Sequence, residues 1–162
     1  MNTQPVANTF SRVMLTFGPA FWFGLIVAIS LIEAPLKFQA PGITIPLGLG
    51  IGRLVFTAMN VVEVVLAIML LVAAFRAGVA TKMRNVLVGL VAVLAIKVAL
   101  IRPFLNKRTD AVLAGVDDGG SSWHYFYIAA DGLLLVGLVI FMVLVAKQWL
   151  KRESLEKHSP TS

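Results

Sequence analysis

Cysteine is missing altogether from this chain, which excludes disulfides, thiolate metal sites, iron–sulfur ligation and a dithiol redox relay. Histidine is scarce, with two residues in all. His158 belongs to the hydrophilic tail, so one histidine remains near an apolar segment and bis-histidine haem ligation is ruled out. No nucleophile elbow and no His-Glu zinc motif are present. Charge is scarce too: 14% of 162 residues are charged against 59% hydrophobic, a balance outside the soluble globular range. The net charge of +6 is not gathered into a basic patch with interleaved aromatics, so nothing points to nucleic acid. The basic residues lie mostly between and after apolar stretches, where they act as topology signals.

The apolar stretches themselves predict an all-α integral membrane protein. A hydrocarbon core about 30 Å thick takes roughly 20 residues of helix. Met14 to Ile32 is a stretch of 19 residues without a charge, longer than a signal-peptide core and not followed by a clean cleavage site, so it reads as a retained span. Four spans are expected, at about 14–34, 53–75, 85–102 and 123–146, forming one four-transmembrane-helix bundle over 1–162 with a polar tail at 147–162. Pro35 is expected to end or kink the first helix and Pro103 to close the third. Between the first two helices lies a Gly/Pro-rich apolar connection, APLKFQAPGITIPLGLGIG, expected at the membrane interface. Its Gly48, Gly50 and Gly52 lack the strand, lysine and spacing of a nucleotide site. The third connection, from Asn106 to Ser122 with Asp110, Asp117, Asp118 and Gly119-Gly120, is hydrophilic.

Lysine and arginine set the orientation. The N-terminus, the second connection and the tail hold eight (Arg12, Arg76, Lys82, Arg84, Lys147, Lys151, Arg152, Lys157), and the other side five (Lys37, Arg53, Arg102, Lys107, Arg108). The positive-inside rule then puts both termini in the cytoplasm of a multi-pass protein of the cell inner (plasma) membrane.

Each span carries one charged residue: Glu33, Glu63, Lys97 and Asp131. A charge at the centre of a bilayer costs about 2.5–3.5 kcal/mol on insertion scales, so these groups are expected to face inward, pair with one another or reach water. At 100° per residue Arg53, Thr57, Asn60 and Glu63 form one stripe, and His124, Tyr127 and Asp131 another. The candidate pocket is therefore Glu33, Asn60, Glu63, Lys97, His124, Tyr127 and Asp131, with Lys37, Arg53 and Arg102 at its rim and Lys97 as counter-charge. It lies in the outer half of the bilayer, above an apolar cytoplasmic half that argues against an open channel. No recognised ligand spacing indicates a metal, and no cofactor is implied.

Such a pocket suits the binding or passage of a cation, a proton or a small molecule. Two other readings stay open: a membrane-embedded enzyme using a carboxylate as acid or base at the outer leaflet, and an accessory or assembly subunit whose charges meet a partner's. The same residues would also serve as interhelical glue that fixes helix register. Besides the bilayer, a homo-oligomer or a membrane partner subunit is compatible with the sequence.

The stretch FWFGLIVAISLIEAPLKF, followed by a Gly-rich connection and GRLVFTAMNVVE, resembles the small bacterial four-helix membrane proteins of unknown function in the transmembrane-protein-205-like group. Those pair an aromatic-Gly helix ending in a Pro-x-x-Phe turn, here Pro35 to Phe38, with a Gly-then-Phe entry to helix 2. The likeness covers about the first seventy residues. It implies a four-helix fold and membrane residence and supplies no activity. Within the chain, Glu33-Ala34-Pro35 and Arg102-Pro103 end the odd helices alike, and the even helices each carry an acid in their first three turns, a pattern that suggests two related hairpins.

Overall fold

Buried positions along the chain alternate in steps of four and three. They fall at Met59, Glu63, Leu66, Leu70, Ala73 and Ala77, at Met83, Leu87, Leu90, Leu94, Lys97 and Ile101, and at Tyr127, Asp131, Leu134, Leu138, Phe141 and Val145. That spacing is the seam of helices packed at shallow left-handed crossing angles. The computed structural model describes residues 9–116 and 122–157, with the side chains at 152, 153 and 155–157 left aside. Four long helices make it up: α1 Thr9–Gln39, α2 Ile45–Ala77, α3 Thr81–Leu113 and α4 Ser122–Lys157. All four are long and apolar enough to cross a membrane. The packing runs round a square, α1 against α2 and α4, and α3 against α4 and α2.

The outer surface is as oily as the core. Phe17, Phe21, Leu54, Ile68, Phe75, Leu133 and Val136 are all more than half exposed. Water would not tolerate such a continuous apolar coat, whereas lipid requires one, and the chain is a multi-pass membrane protein. Inside, a larger apolar cluster includes Trp22, Leu70, Leu87, Leu138 and Phe141, and a smaller one gathers Met59, Ile101, Tyr127 and Ala130. Glu63, Lys97 and Asp131 fall between the two along each helix.

The helices are longer than the hydropathy pattern predicts, and proline placement explains where. Helix α2 begins at Ile45, eight residues before the expected Arg53. Thr44 caps it by accepting from the Leu47 N–H at 3.3 Å, and Pro46 sits in the first turn, where a missing N–H costs nothing. Gly48 and Gly52 are therefore helical, one turn apart. A methyl group on Gly48 would collide with the Phe38 ring, and one on Gly52 would lie 2.9 Å from the Lys37 Nζ, so their bareness lets the end of α1 lie against α2. The expected interfacial connection shrinks to the few residues after Gln39.

Prolines also fail to stop the odd helices. In α1 a π-helical stretch, Val27–Glu33, ends two residues before Pro35. In α3 a second, Lys97–Ile101, ends two residues before Pro103. The wider π turn accommodates the ring and the lost hydrogen bond, so each helix passes through. Helix α3 thus continues to Leu113 instead of closing at Arg102. Helix α4 runs through the start of the expected tail. Asp117, Asp118 and Gly119-Gly120 of the third connection, and His158, lie outside the described residues.

Small residues on the seams set the interhelical distance. A Cβ on Gly137 would come within 2.6 Å of the Leu90 side chain, whereas one on Gly89 meets nothing within 4 Å. Gly137→Ala is expected to lower stability by about 1–3 kcal/mol through overpacking. Gly89→Ala should instead raise it by up to about 1 kcal/mol through helix propensity. Thermal unfolding in detergent micelles checks both.

Candidate functional site

Lys97 reaches the bundle centre from the first residue of the α3 π stretch. Its Nζ lies 2.9 Å from Glu63 Oε1 and 2.7 Å from Oε2, and 2.6 Å from Asp131 Oδ1. Lys97 and Glu63 are fully buried and Asp131 is 2% exposed. Helix α1 closes the layer with two neutral donors. Trp22 Nε1 donates to Glu63 Oε1 at 3.0 Å, and Ser30 Oγ to Asp131 Oδ2 at 2.6 Å. One ammonium between two carboxylates, with an indole and a hydroxyl behind them, draws on all four helices.

A second polar pair borders this layer. Tyr127 donates its hydroxyl to Asn60 Oδ1 at 2.9 Å, and its ring faces the Lys97 Nζ at 5.0 Å, close enough for a cation–π contact. Phe56 packs edge-on against Tyr127, with ring centres 5.4 Å apart. The polar side chains are thereby held in fixed rotamers by aromatic neighbours.

Beyond Tyr127 a cavity of about 550 Å³ opens toward the end of the bundle that holds the α1–α2 connection. Asp131 and Ser30 line its floor, while Glu63 and Lys97 are not part of its lining. Its walls include Leu31, Phe56, Ile128 and Leu135. The space lies where the end of α1 leans on α2, Phe38 against Gly48, and reaches α4 through Ser30; no residue from Val27 to Gln39 is fully buried. Toward the other end, Leu70, Leu87, Leu138 and Phe141 are fully buried in the interior.

Among the residues singled out by sequence, Asn60, Glu63, Lys97, Tyr127 and Asp131 come together. Glu33 does not join them; it pairs with Lys37 one turn along α1 at 3.2 Å, its side chain 31% exposed. His124 is exposed at the cavity mouth. Of the rim residues, Arg53 pairs with Asp110, and Lys37 also faces the Phe56 ring. Arg102 Nη2 donates to the Arg53 carbonyl at 2.7 Å and to Thr57 Oγ1 at 2.9 Å. Trp22 and Ser30 are site residues that the charge pattern does not flag. Their signal is that each is a hydrogen-bonding side chain inside a span, where hydrocarbon offers no partner.

Among the described residues no three His, Asp or Glu side chains converge as metal ligands, and the Lys97 ammonium fills the gap between Glu63 and Asp131. No protein-family model, no curated protein and no solved structure matches the chain.

Breaking a buried ion pair from one side is far worse than replacing it whole. Lys97→Met is expected to destabilise the bundle by about 3–5 kcal/mol, because it leaves two buried carboxylates facing each other. The triple replacement Lys97→Met, Glu63→Leu, Asp131→Leu should recover most of that loss, as measured by unfolding in micelles.

Proposed function

We propose that this protein is an inner-membrane binding protein with both termini in the cytoplasm, whose intramembrane pocket faces outward. It takes up a small molecule there, with a proton on the charged layer as the balancing charge. The observation that carries this reading is the double position of Asp131: one oxygen is bound by Lys97, and the same residue lines the cavity floor. Two carboxylates around one ammonium leave a formal negative charge in a layer enclosed by apolar clusters. A proton neutralises it. The eight-to-five division of Lys and Arg supports the orientation. Kinship with the transmembrane-protein-205-like group, on the strength of the first seventy residues, is part of the same proposal.

Binding is favoured over catalysis by how thoroughly the acids are engaged. Glu63 is held by Lys97 and Trp22, and Asp131 by Lys97 and Ser30. Neither is poised as a free general base, and the one hydroxyl beside them, Ser30 Oγ, is engaged in holding Asp131.

Trp22 is a built-in reporter of this layer, since its indole touches Glu63 directly. Of the three tryptophans, replacing Trp123 and Trp149 by Phe leaves it alone. Its emission is expected to change with pH in a single step, and Glu63→Gln should abolish that step while helical content persists. Emission independent of pH in the folded single-tryptophan protein would overturn the proton-binding layer.

Orientation has its own test, because any introduced cysteine is unique in this chain. A membrane-impermeant maleimide on intact spheroplasts is expected to label Val116→Cys and to spare Lys82→Cys, two exposed positions at opposite ends of α3. The reverse pattern inverts the topology.

A further inference from the structure

The cavity wall carries three cations, and two have their counter-charge in place: Lys37 has Glu33 and Arg53 has Asp110. Arg102 does not. It lines the same cavity and is 7% exposed, yet no carboxylate of the described residues lies within ion-pair distance. Its Nη2 bonds, to a backbone carbonyl and a threonine hydroxyl, go to neutral acceptors. A guanidinium withdrawn from water is ordinarily matched by an anion, and its planar fork suits a carboxylate or a phosphate.

We propose that the missing anion is the head of an amphipathic ligand, a carboxylate or phosphate on an acyl chain, with the chain lying along Leu31, Ile128 and Leu135. This rests on the pocket reading above and names its ligand class. Three observations carry it. Arg102 opens the hydrophilic stretch RPFLNKRTD directly after the apolar part of α3, the level at which lipid head groups sit. The Phe56 ring lies 5.8 Å from the guanidinium, leaving one apolar face beside the charge. The apolar wall runs between α1 and α4, and its Leu31 and Ile128 are about half exposed on the outer face of the bundle, so a chain has a lateral way in from lipid. The volume of about 550 Å³ falls within the roughly 300–1,000 Å³ typical of small-molecule sites. Asp131 does not compete with the head for Arg102, since it is held by Lys97 and Ser30.

The test uses the purified full chain in a neutral maltoside detergent and a scintillation-proximity assay with labelled laurate. Saturable binding is expected, displaced by dodecyl phosphate and not by dodecanol. Arg102→Gln should weaken it roughly tenfold or more, the loss of a charge-assisted contact, and Arg102→Lys should retain part of it. Leu135→Trp fills the chain's path without touching any charge and should also weaken binding; it carries the test should Arg102→Gln fail to fold. Displacement by inorganic phosphate as readily as by dodecyl phosphate overturns the acyl half in favour of a free anion. Displacement by dodecanol as readily as by laurate, or unchanged affinity in folded Arg102→Gln, overturns the anionic head and leaves the pocket standing. Absence of laurate binding to the folded protein overturns the ligand class, and the Trp22 titration then decides separately whether the charged layer behaves as proposed.

Discussion

One ammonium shared by two carboxylates is the contact on which the bundle depends. Each member of the Glu63–Lys97–Asp131 layer would cost about 2.5–3.5 kcal/mol alone in hydrocarbon, and together roughly 10 kcal/mol. That cost is offset only when all three meet at hydrogen-bond distance, as they do at 2.6 to 2.9 Å. Apolar side chains cannot enforce such a register in a membrane, because lipid solvates them as well as another helix does. A sliding of α3 by one residue would still leave apolar side chains such as Val86, Val93 and Ile96 on the seam but would strand the ammonium. The polar layer therefore specifies which residues of α2, α3 and α4 lie opposite one another, and close packing at Gly137 and along Ala73, Ala74 and Ala77 fills in the rest.

Helix α1 is tied to that layer without contributing a charge. Its two anchors, Trp22 and Ser30, lie on either side of the start of the π stretch at Val27. The widened turn changes which face the following residues present, so that Ser30 still reaches Asp131 while no residue of α1 from Val27 onward is fully buried. In α3 the matching π stretch starts at Lys97 itself. Both stretches precede a proline by the same two residues, so the two hairpins, α1–α2 and α3–α4, are built alike at this end, each even helix supplying an acid. The likeness has divergent results: the π turn of α3 drives a lysine into the core, and that of α1 opens a cavity behind it.

Much of this was legible from residue types alone, for a physical reason. Hydrocarbon penalises a stray charge so heavily that Glu63, Lys97 and Asp131 had few places to go but toward one another, and Asn60 and Tyr127 followed from helical periodicity. Glu33 obeys the same penalty differently. Lys37 lies one turn away on the same helix, and a local pair near the end of a span satisfies both without entering the core. Neutral donors such as Trp22 and Ser30 are nearly silent in a charge-based pattern. Helix ends were the least legible, because proline is read as a stop. Pro46 is instead a favoured first-turn residue behind the Thr44 cap, and Pro103 is absorbed by the π turn before it, an adjustment that composition does not announce.

The two ends of the bundle differ in a way that limits mechanism. On one side of the polar layer the seam positions are Leu66, Leu70, Leu87, Leu90, Leu134, Leu138 and Phe141, all buried and interdigitated. On the other lies a cavity with an acid on its floor and a guanidinium in its wall. A conducted ion would have to part four helices along an apolar seam. A molecule that enters the cavity meets Asp131 and goes no further while the seam is closed. The end of α1 buries no side chain fully after Ile26, and the cavity lies between it and α4 with half-exposed Leu31 and Ile128 in its wall. In the proposed reading a ligand therefore reaches the site from that side of the bundle and not through a pore along its axis.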